Sequence, residues 1–219
     1  MPRIRIRQHV NPLSLKFQKA IALPEWHRVY DNLNLPLHLD IGCARGKFLL
    51  EMAQLYPEIN FLGVEIRRSL VIGANREKEQ LGLKNLHYLF GSVNYSASAI
   101  FESLPPNILH CITVQFPDPW FKRKHNKRRV IQPELVDILV DYLVDGGTVF
   151  LQSDIKEVAI EMRDRFRSDE RLIDYANPTW LDTNPLAVPT ERELYVLKQN
   201  LPVYRALFIK AGDRLAVNS

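Results

Sequence analysis

The sequence predicts an α/β fold, a mainly parallel sheet with helices on both faces, and three observations lead there. From about residue 37, short β-rich runs alternate with longer helical ones, the order of βαβ units. One run, Leu109–Phe116, is apolar at nearly every position, as suits a central strand covered on both faces. Another, Leu37–Ile41, leads straight into a glycine-bearing turn and then a helical pattern.

The elements follow in order. Strands are expected at Leu37–Ile41, Asn60–Ile66, Leu86–Phe90, Leu109–Phe116, Thr148–Gln152 and, after Pro202, Tyr204–Lys210, with a shorter one near Leu172–Tyr175. Lys47–Leu55 puts Phe48, Leu49, Met52 and Leu55 at helical spacing, with Pro57 beyond its end. Ser69–Leu81 stops at Gly82. Gln132–Leu143 opens with Pro133 and is expected to end at Gly146-Gly147. Ile155–Arg167 follows Ser153-Asp154, good N-cap residues. Ala176–Val203 holds Pro178, Pro185, Pro189 and Pro202 and reads as a long loop, functional or disordered. The domain is expected over residues 35–212, with an N-terminal extension at 1–34 and a tail at 213–219.

Of 219 residues, 46% are hydrophobic and 25% charged, which excludes a disordered chain. Cys43 and Cys111 stand in no CxxC or zinc spacing and read as small buried residues of a reducing cytoplasm. His38, His87 and His110 are scattered among strands and form no metal set. No apolar run reaches about 18 residues, and MPRIRIRQHV has no apolar stretch behind it, so neither a membrane span nor a signal peptide is expected. Net charge is only +4, but it is concentrated. Residues 1–10 hold three arginines and residues 122–129 six Lys/Arg, with no acid in either, which leaves the remainder of the chain at −5. Concentrated cationic charge suits a polyanion that sheds counterions on binding.

The turn after the first strand reads Asp40-Ile-Gly42-Cys-Ala44-Arg-Gly46. Glycines there let the backbone turn sharply and approach a ligand closely. The spacing is GxAxG behind an acid, which resembles the loop of S-adenosylmethionine methyltransferases more than the GxGxxG of dinucleotide folds; its other reading is a tight βα turn. Glu65 ends the second strand, roughly 20 residues on, where a carboxylate can accept both ribose hydroxyls; its other reading is a partner for Arg67 or Arg68. Gly91-Ser92-Val93-Asn94 ends the third strand, where an amide meets an adenine or caps the next helix. The fourth strand ends in Gln115-Phe116-Pro117-Asp118-Pro119-Trp120. Two prolines hold Asp118 on the crevice rim, Trp120 adds an aromatic face, and the basic run begins at Lys122. An acid, an aromatic and cations beside a cofactor crevice suit a nucleobase on a phosphate backbone. His125 reads as a loop residue.

FPDPWFKRKHNKRR resembles the signature of the bacterial tRNA (guanine-N7)-methyltransferase family, and the likeness runs from about Leu37 to Ile209, including Ser153-Asp154 and Thr190-Glu191-Arg192-Glu193. The chain departs from that pattern mildly at Asp40, Ala44 and Asn94. The resemblance implies a Rossmann-like class I methyltransferase whose last strand is antiparallel. It also implies transfer of a methyl group from S-adenosylmethionine to N7 of a guanine in the tRNA variable loop, position 46. Asp40, Gly42, Gly46, Glu65, Asn94 and Asp118 then hold the cofactor, Asp118 being also the catalytic residue. Lys122, Asp154, Thr190, Glu191, Arg192 and Glu193 match substrate positions, and Lys124, Lys127, Arg128 and Arg129 the RNA backbone, with Arg123 in the same run. The partner is tRNA, with no metal and no membrane, as a monomer or a homodimer. Two alternatives stay open from the residues alone: methylation of another substrate, and a non-catalytic RNA-binding module on the same scaffold.

Overall fold

The computed structural model describes residues 10–19 and 21–212, and of Arg123 the backbone. Arg3, Arg5 and Arg7 of the N-terminal basic cluster and the 213–219 tail lie outside the described residues.

Seven strands form one sheet in the order β3-β2-β1-β4-β5-β7-β6: β1 Leu37–Ile41, β2 Asn60–Glu65, β3 Leu86–Phe90, β4 Leu109–Gln115, β5 Leu143–Ser153, β6 Leu172–Asp174 and β7 Tyr204–Lys210. The first five pair in parallel, and β7 runs antiparallel to both β5 and β6, as expected of the last strand. The helices are α1 Lys47–Leu55, α2 Arg68–Gln80, α3 Ala97–Glu102, α4 Pro133–Tyr142, α5 Lys156–Arg167 and α6 Glu191–Lys198.

Successive strand residues point to opposite faces, and the core divides accordingly. Phe61, Leu86 and Tyr88 join α1 and α2 in one cluster. Leu62, Val64 and Leu89 join α3, α4 and α5 in the other. Residues 21–34 close over the second cluster: Trp26 Nε1 donates to Ser103 Oγ at 2.8 Å, and the Tyr30 hydroxyl to the Phe61 carbonyl at 2.9 Å.

The structure corrects four local expectations. Helix α4 stops at Tyr142, and Gly146-Gly147 lie in the irregular start of β5, whose pairing with β4 jumps from Leu143 to Thr148. Its last carbonyls are met instead from β7, where Lys210 Nζ donates to Val140 O at 2.8 Å and Leu143 O at 2.7 Å. Helix α5 begins behind Ile155, which carries no side-chain cap; Ser153 Oγ accepts from the Ile155 N–H at 3.1 Å, a turn just ahead of the helix. Cys43 is buried but Cys111 only half-buried. The expected loop at 176–203 contains α6.

Gly46 shows how the sheet holds the glycine turn. Its φ is +74°, and a Cβ there would stand 2.5 Å from Tyr88 Cε1, while the Tyr88 hydroxyl donates to Gly46 O at 2.6 Å. Gly46→Ala combines left-handed strain of about 1–2 kcal/mol with overpacking of about 1–3 kcal/mol. Urea denaturation should show a loss of at least about 2 kcal/mol; a variant as stable as the parent would mean the turn is not pinned by Tyr88.

Candidate active site

The strand order reverses between β1 and β4, so a crevice opens where both strands end. Three alternate residues of the first turn are left-handed, with φ of +81° at Gly42, +50° at Ala44 and +74° at Gly46. The turn is fixed by its own N–H groups, which donate from Gly42 to Val64 O at 2.8 Å, from Gly46 to Cys43 O at 2.8 Å and from Ala44 to Glu65 at 3.0 Å. A Cβ on Gly42 would meet nothing within 4 Å, so this residue borders open space.

Glu65 closes the turn from β2. Its buried carboxylate accepts from the Ala44 N–H at 3.0 Å, the Arg67 N–H at 2.9 Å, and Arg67 Nε and Nη2 at 2.9 Å each. Glu65 thus pairs with Arg67 while lining the narrower part of the crevice.

Asp40 is buried on β1 opposite Thr113 of β4, whose hydroxyl donates to Asp40 Oδ1 at 2.6 Å. Burial pushes the Asp40 carboxyl up to about 6, with Thr113 and Gln115 holding it down and Glu65 adding to the rise. His38 lies 3.0 Å from Thr113 Oγ1, and burial lowers its pKa to about 3, so the ring is neutral near pH 7. Because the Thr113 proton goes to Asp40, its oxygen is left to accept from His38 Nε2–H, which sets that tautomer.

The turn after β4 is strained: Phe116 and Trp120 have φ of +50° and +44°. For bulky side chains this is an outlier conformation that surrounding contacts must enforce. Arg129 enforces it, with Nε donating to Pro119 O at 2.9 Å and the guanidinium ion-paired to Glu161. The Arg128 guanidinium lies 5.0 Å from the Trp120 ring centroid, and the His125 ring meets Trp120 edge-on at 5.6 Å. His125 is held below its ordinary pKa, by desolvation first and then by Arg128, Lys124 and Lys122. Asn94 Nδ2 donates to Val130 O at 2.9 Å, so it braces this segment and does not cap α3. Arg129, expected on the RNA backbone, is thus turned inward, whereas Lys122, Lys124 and Lys127 are exposed.

Two cavities meet at this turn. The narrower, about 120 Å³, is lined by Gly42, Glu65, Asn94, Asp118, Trp120 and Arg128, with Val10 and Pro12 over it. The broader, about 750 Å³, is lined by Asp40, Gln115, Asp118, Asp154, Thr190 and Arg192 among others. Gly42, Arg67, Phe116, Pro117 and Asp118 border both. The structure therefore gathers Asp40, Gly42, Glu65, Asn94 and Asp118 around one double cleft, with Asp154, Thr190, Glu191 and Arg192 on its broader lobe. Gly46 sits beneath, against Tyr88.

Glu193 is a correction. Thr190-x-x-Glu193 is a helix start: Thr190 Oγ1 accepts from the Glu193 N–H at 3.1 Å and caps α6. The Glu193 side chain is 1% exposed and turns into the protein, where it accepts from Arg205 Nη2 at 2.7 Å, Asn184 Nδ2 at 2.7 Å and Gln152 Nε2 at 3.1 Å. It does not line the cleft. Arg192 does, ion-paired to Asp154 and so joining α6 to the end of β5. The T-x-x-E spacing before an apolar run was the signal for α6. Gln115, Gln152 and Arg205, absent from the expected site, are missed because their partners are distant in sequence, whereas Arg67 pairs with Glu65 two residues away. Among the described residues no group of three or more His, Cys, Asp or Glu could hold a metal ion, and no helix is long and apolar enough to cross a membrane.

A family model described as "Putative methyltransferase" matches residues 34–206. The curated tRNA (guanine-N(7)-)-methyltransferase of Microcystis aeruginosa is 54% identical over 208 residues, 95% of this chain and 99% of that protein. Its counterpart from Thermosynechococcus vestitus is 55% identical over 205 residues, 94% of each chain. Among solved structures, a 30S ribosomal methyltransferase from an uncultured bacterium superposes with a TM-score of 0.57 at 15% identity, covering 88% of this chain and 97% of that one. The 16S rRNA methyltransferase KamB gives 0.56 at 16% identity, covering 86% and 92%. At these identities the two structures bear on the fold alone.

Glu193→Ala would strand the Arg205 guanidinium, itself 5% exposed, without its charge partner. Breaking a buried pair this way costs about 3–5 kcal/mol, whereas Glu191→Ala, on the exposed face of the same helix, should stay within about 0.5 kcal/mol. Parallel urea titrations check the contrast; equal small losses would return Glu193 to the cleft.

Proposed function

We infer the reaction from one premise: the chain belongs to the family of tRNA (guanine-N(7)-)-methyltransferases. It transfers a methyl group from S-adenosylmethionine to N7 of a guanine in tRNA, forming 7-methylguanosine. We assign the target to the variable loop, tRNA position 46, and the enzyme to the cytoplasm. The observation that carries this reading is the double cleft with Asp118 at its junction, lined on one side by Gly42, Glu65 and Asn94 and on the other by Asp154, Thr190 and Arg192.

The residues present fit the cofactor. Gly42, which borders open space, lets a ligand approach the backbone, and buried Asp40 suits the methionine ammonium as a counter-charge. Glu65 suits the ribose diol and Asn94 the adenine edge. Glu65 already accepts four hydrogen bonds, so a ribose diol would take the place of those from the Arg67 guanidinium. When bound, S-adenosylmethionine supplies a methyl group on a positively charged sulfur, which guanine N7 takes through its in-plane lone pair as neutral thioether departs.

N7 bears no proton, so the chain has none to remove, and its task is placement and electrostatics. Asp118, held by flanking prolines and the Arg129 contact to Pro119, faces both lobes and positions the base against the methyl group. Its charge favours the ring that becomes cationic, and only the excess of that attraction in the transition state accelerates transfer. Asp154 and Arg192, paired on the far wall, and the Thr190–Glu191 start of α6 are assigned to the tRNA substrate. Lys122, Lys124 and Lys127 are exposed beside the mouth and suit phosphates, and Arg128 stiffens Trp120.

Three measurements test this reading. Asp118→Ala should keep the fold and most cofactor affinity while methyl transfer to tRNA falls about a hundredfold or more; full activity would remove Asp118 from the mechanism. Cofactor affinity should depend on pH through Asp40. Its carboxyl is pushed up to about 6, so as pH falls through that value the anion that meets the ammonium is lost. The apparent Kd then rises up to about tenfold per pH unit, and Asp40→Asn flattens the profile. A profile unchanged in Asp40→Asn would place the titration elsewhere. Finally, Lys124→Ala with Lys127→Ala should raise KM for tRNA and reduce the salt slope by about 0.7–0.9 per lost phosphate contact, leaving cofactor Kd unchanged. An unchanged slope would make those lysines a solvated face.

A further inference from the structure

Among the described residues, four cations line the broader lobe: Arg45, Lys47, Arg67 and Arg192. Three are already neutralised. Lys47 pairs with Glu77 at 2.7 Å, Arg67 with Glu65 at 2.9 Å, and Arg192 with Asp154. Arg45 differs: it is exposed, and its guanidinium makes no hydrogen bond or ion pair among the described residues. It borders the broader lobe and not the narrower one, so its charge is offered on the substrate side of the cleft.

The backbone beneath Arg45 is tied on both sides. Before it, the Ala44 N–H is held by Glu65 at 3.0 Å. After it, the Gly46 N–H donates to Cys43 O at 2.8 Å, and Gly46 O accepts from the Tyr88 hydroxyl at 2.6 Å. A fixed turn therefore presents this side chain from the wall that Asp118 also lines. An arginine so placed offers a planar fork of N–H groups, which two oxygens of a phosphate can accept together.

We propose that Arg45 grips a phosphate flanking the target guanosine. This rests on the guanine-N7 reading above. A nucleotide turned out of its loop swings about its own backbone, so its base enters the lobe while its two flanking phosphates stay at the mouth. Asp118 positions the base, and Arg45, exposed on the same lobe, meets the charge that follows it. Lys122, Lys124 and Lys127 do not line this lobe, and they suit phosphates farther along the strand. The two groups then act differently. Remote phosphates add affinity alone, whereas a grip on the target's own phosphate also fixes N7 relative to the methyl group.

The test is a cycle between Arg45 and the charge on the RNA. Its substrates are ordinary tRNA and tRNA with one uncharged methylphosphonate linkage, on either the 5′ or the 3′ side of the target guanosine. Parent enzyme that methylates ordinary tRNA establishes the underlying reading; parent enzyme that does not would overturn that reading before the inference is reached. Arg45→Ala should lower transfer about tenfold or more even at saturating tRNA. It should also reduce the salt slope by about 0.7–0.9 and leave cofactor Kd unchanged. One of the two methylphosphonates should cost the parent about as much, yet cost Arg45→Ala no more than about twofold further, because the contact is already gone. Lys124→Ala with Lys127→Ala should remain as sensitive to that linkage as the parent. Arg45→Lys should recover part of the loss, keeping the charge without the fork. Arg45→Ala as active as the parent, equal methylphosphonate losses in both enzymes, or a rise in cofactor Kd that accounts for the loss would overturn the proposal. Should Arg45→Ala not fold, Arg45→Gln carries the same comparison.

Discussion

Five parallel strands finish on one edge of the sheet, and between β1 and β4 the chain changes direction across it. No hairpin can join parallel neighbours, so every connection must cross a face and return. The consequence is an edge made of successive strand ends: Asp40 near the end of β1, Glu65 on β2, Gln115 on β4, Ser153 on β5. The first residue of each turn still bonds to the neighbouring strand, as Gly42, Gly91 and Phe116 do, and the residues beyond border the cleft. The double cleft is the gap this topology leaves, and its chemistry is whatever those strand ends carry.

That edge is expensive to hold. Asp40, Glu65, Glu193 and Arg205 are buried charged groups, and each would cost several kcal/mol without compensation. The compensation differs from one to the next. Glu65 and Glu193 are met by guanidinium groups and amides, and Arg205 by Glu193. Asp40 is met only by neutral groups, Thr113 and Gln115, and burial raises its pKa. The strained turn at Phe116–Trp120 is likewise held from outside, by Arg129 and its partner Glu161. Several positively charged side chains near the cleft are thus scaffolding. A cation counted in the sequence is not yet a cation offered to RNA.

Periodicity and turn chemistry made most of the sheet legible in advance. The strand at Leu37–Ile41 and the helix at Lys47–Leu55 have the bounds their own residues specify. The glycine turn and the Phe116–Trp120 block lie where their spacing puts them. Where local reading went astray, a distant partner had intervened. Gly146-Gly147 looked like a helix stop, yet α4 ends earlier and is capped by Lys210 from β7. The Pro-rich 176–203 stretch hides α6, whose hydrophobic face is short and whose start is capped by Thr190.

What the sequence by itself determined is everything governed by neighbours along the chain: the alternation of strand and helix, the left-handed turn, the rigid acid between prolines, the family likeness. What only the tertiary structure decided is which way the long polar side chains face. Glu193 meets Gln152 41 positions away, and Gln152 meets Gln115 37 positions away and Arg205 53 positions away. An amide or a carboxylate has no direction until its partner is placed, and here the partners arrive from β4, β5, β7 and α6 only when the sheet closes.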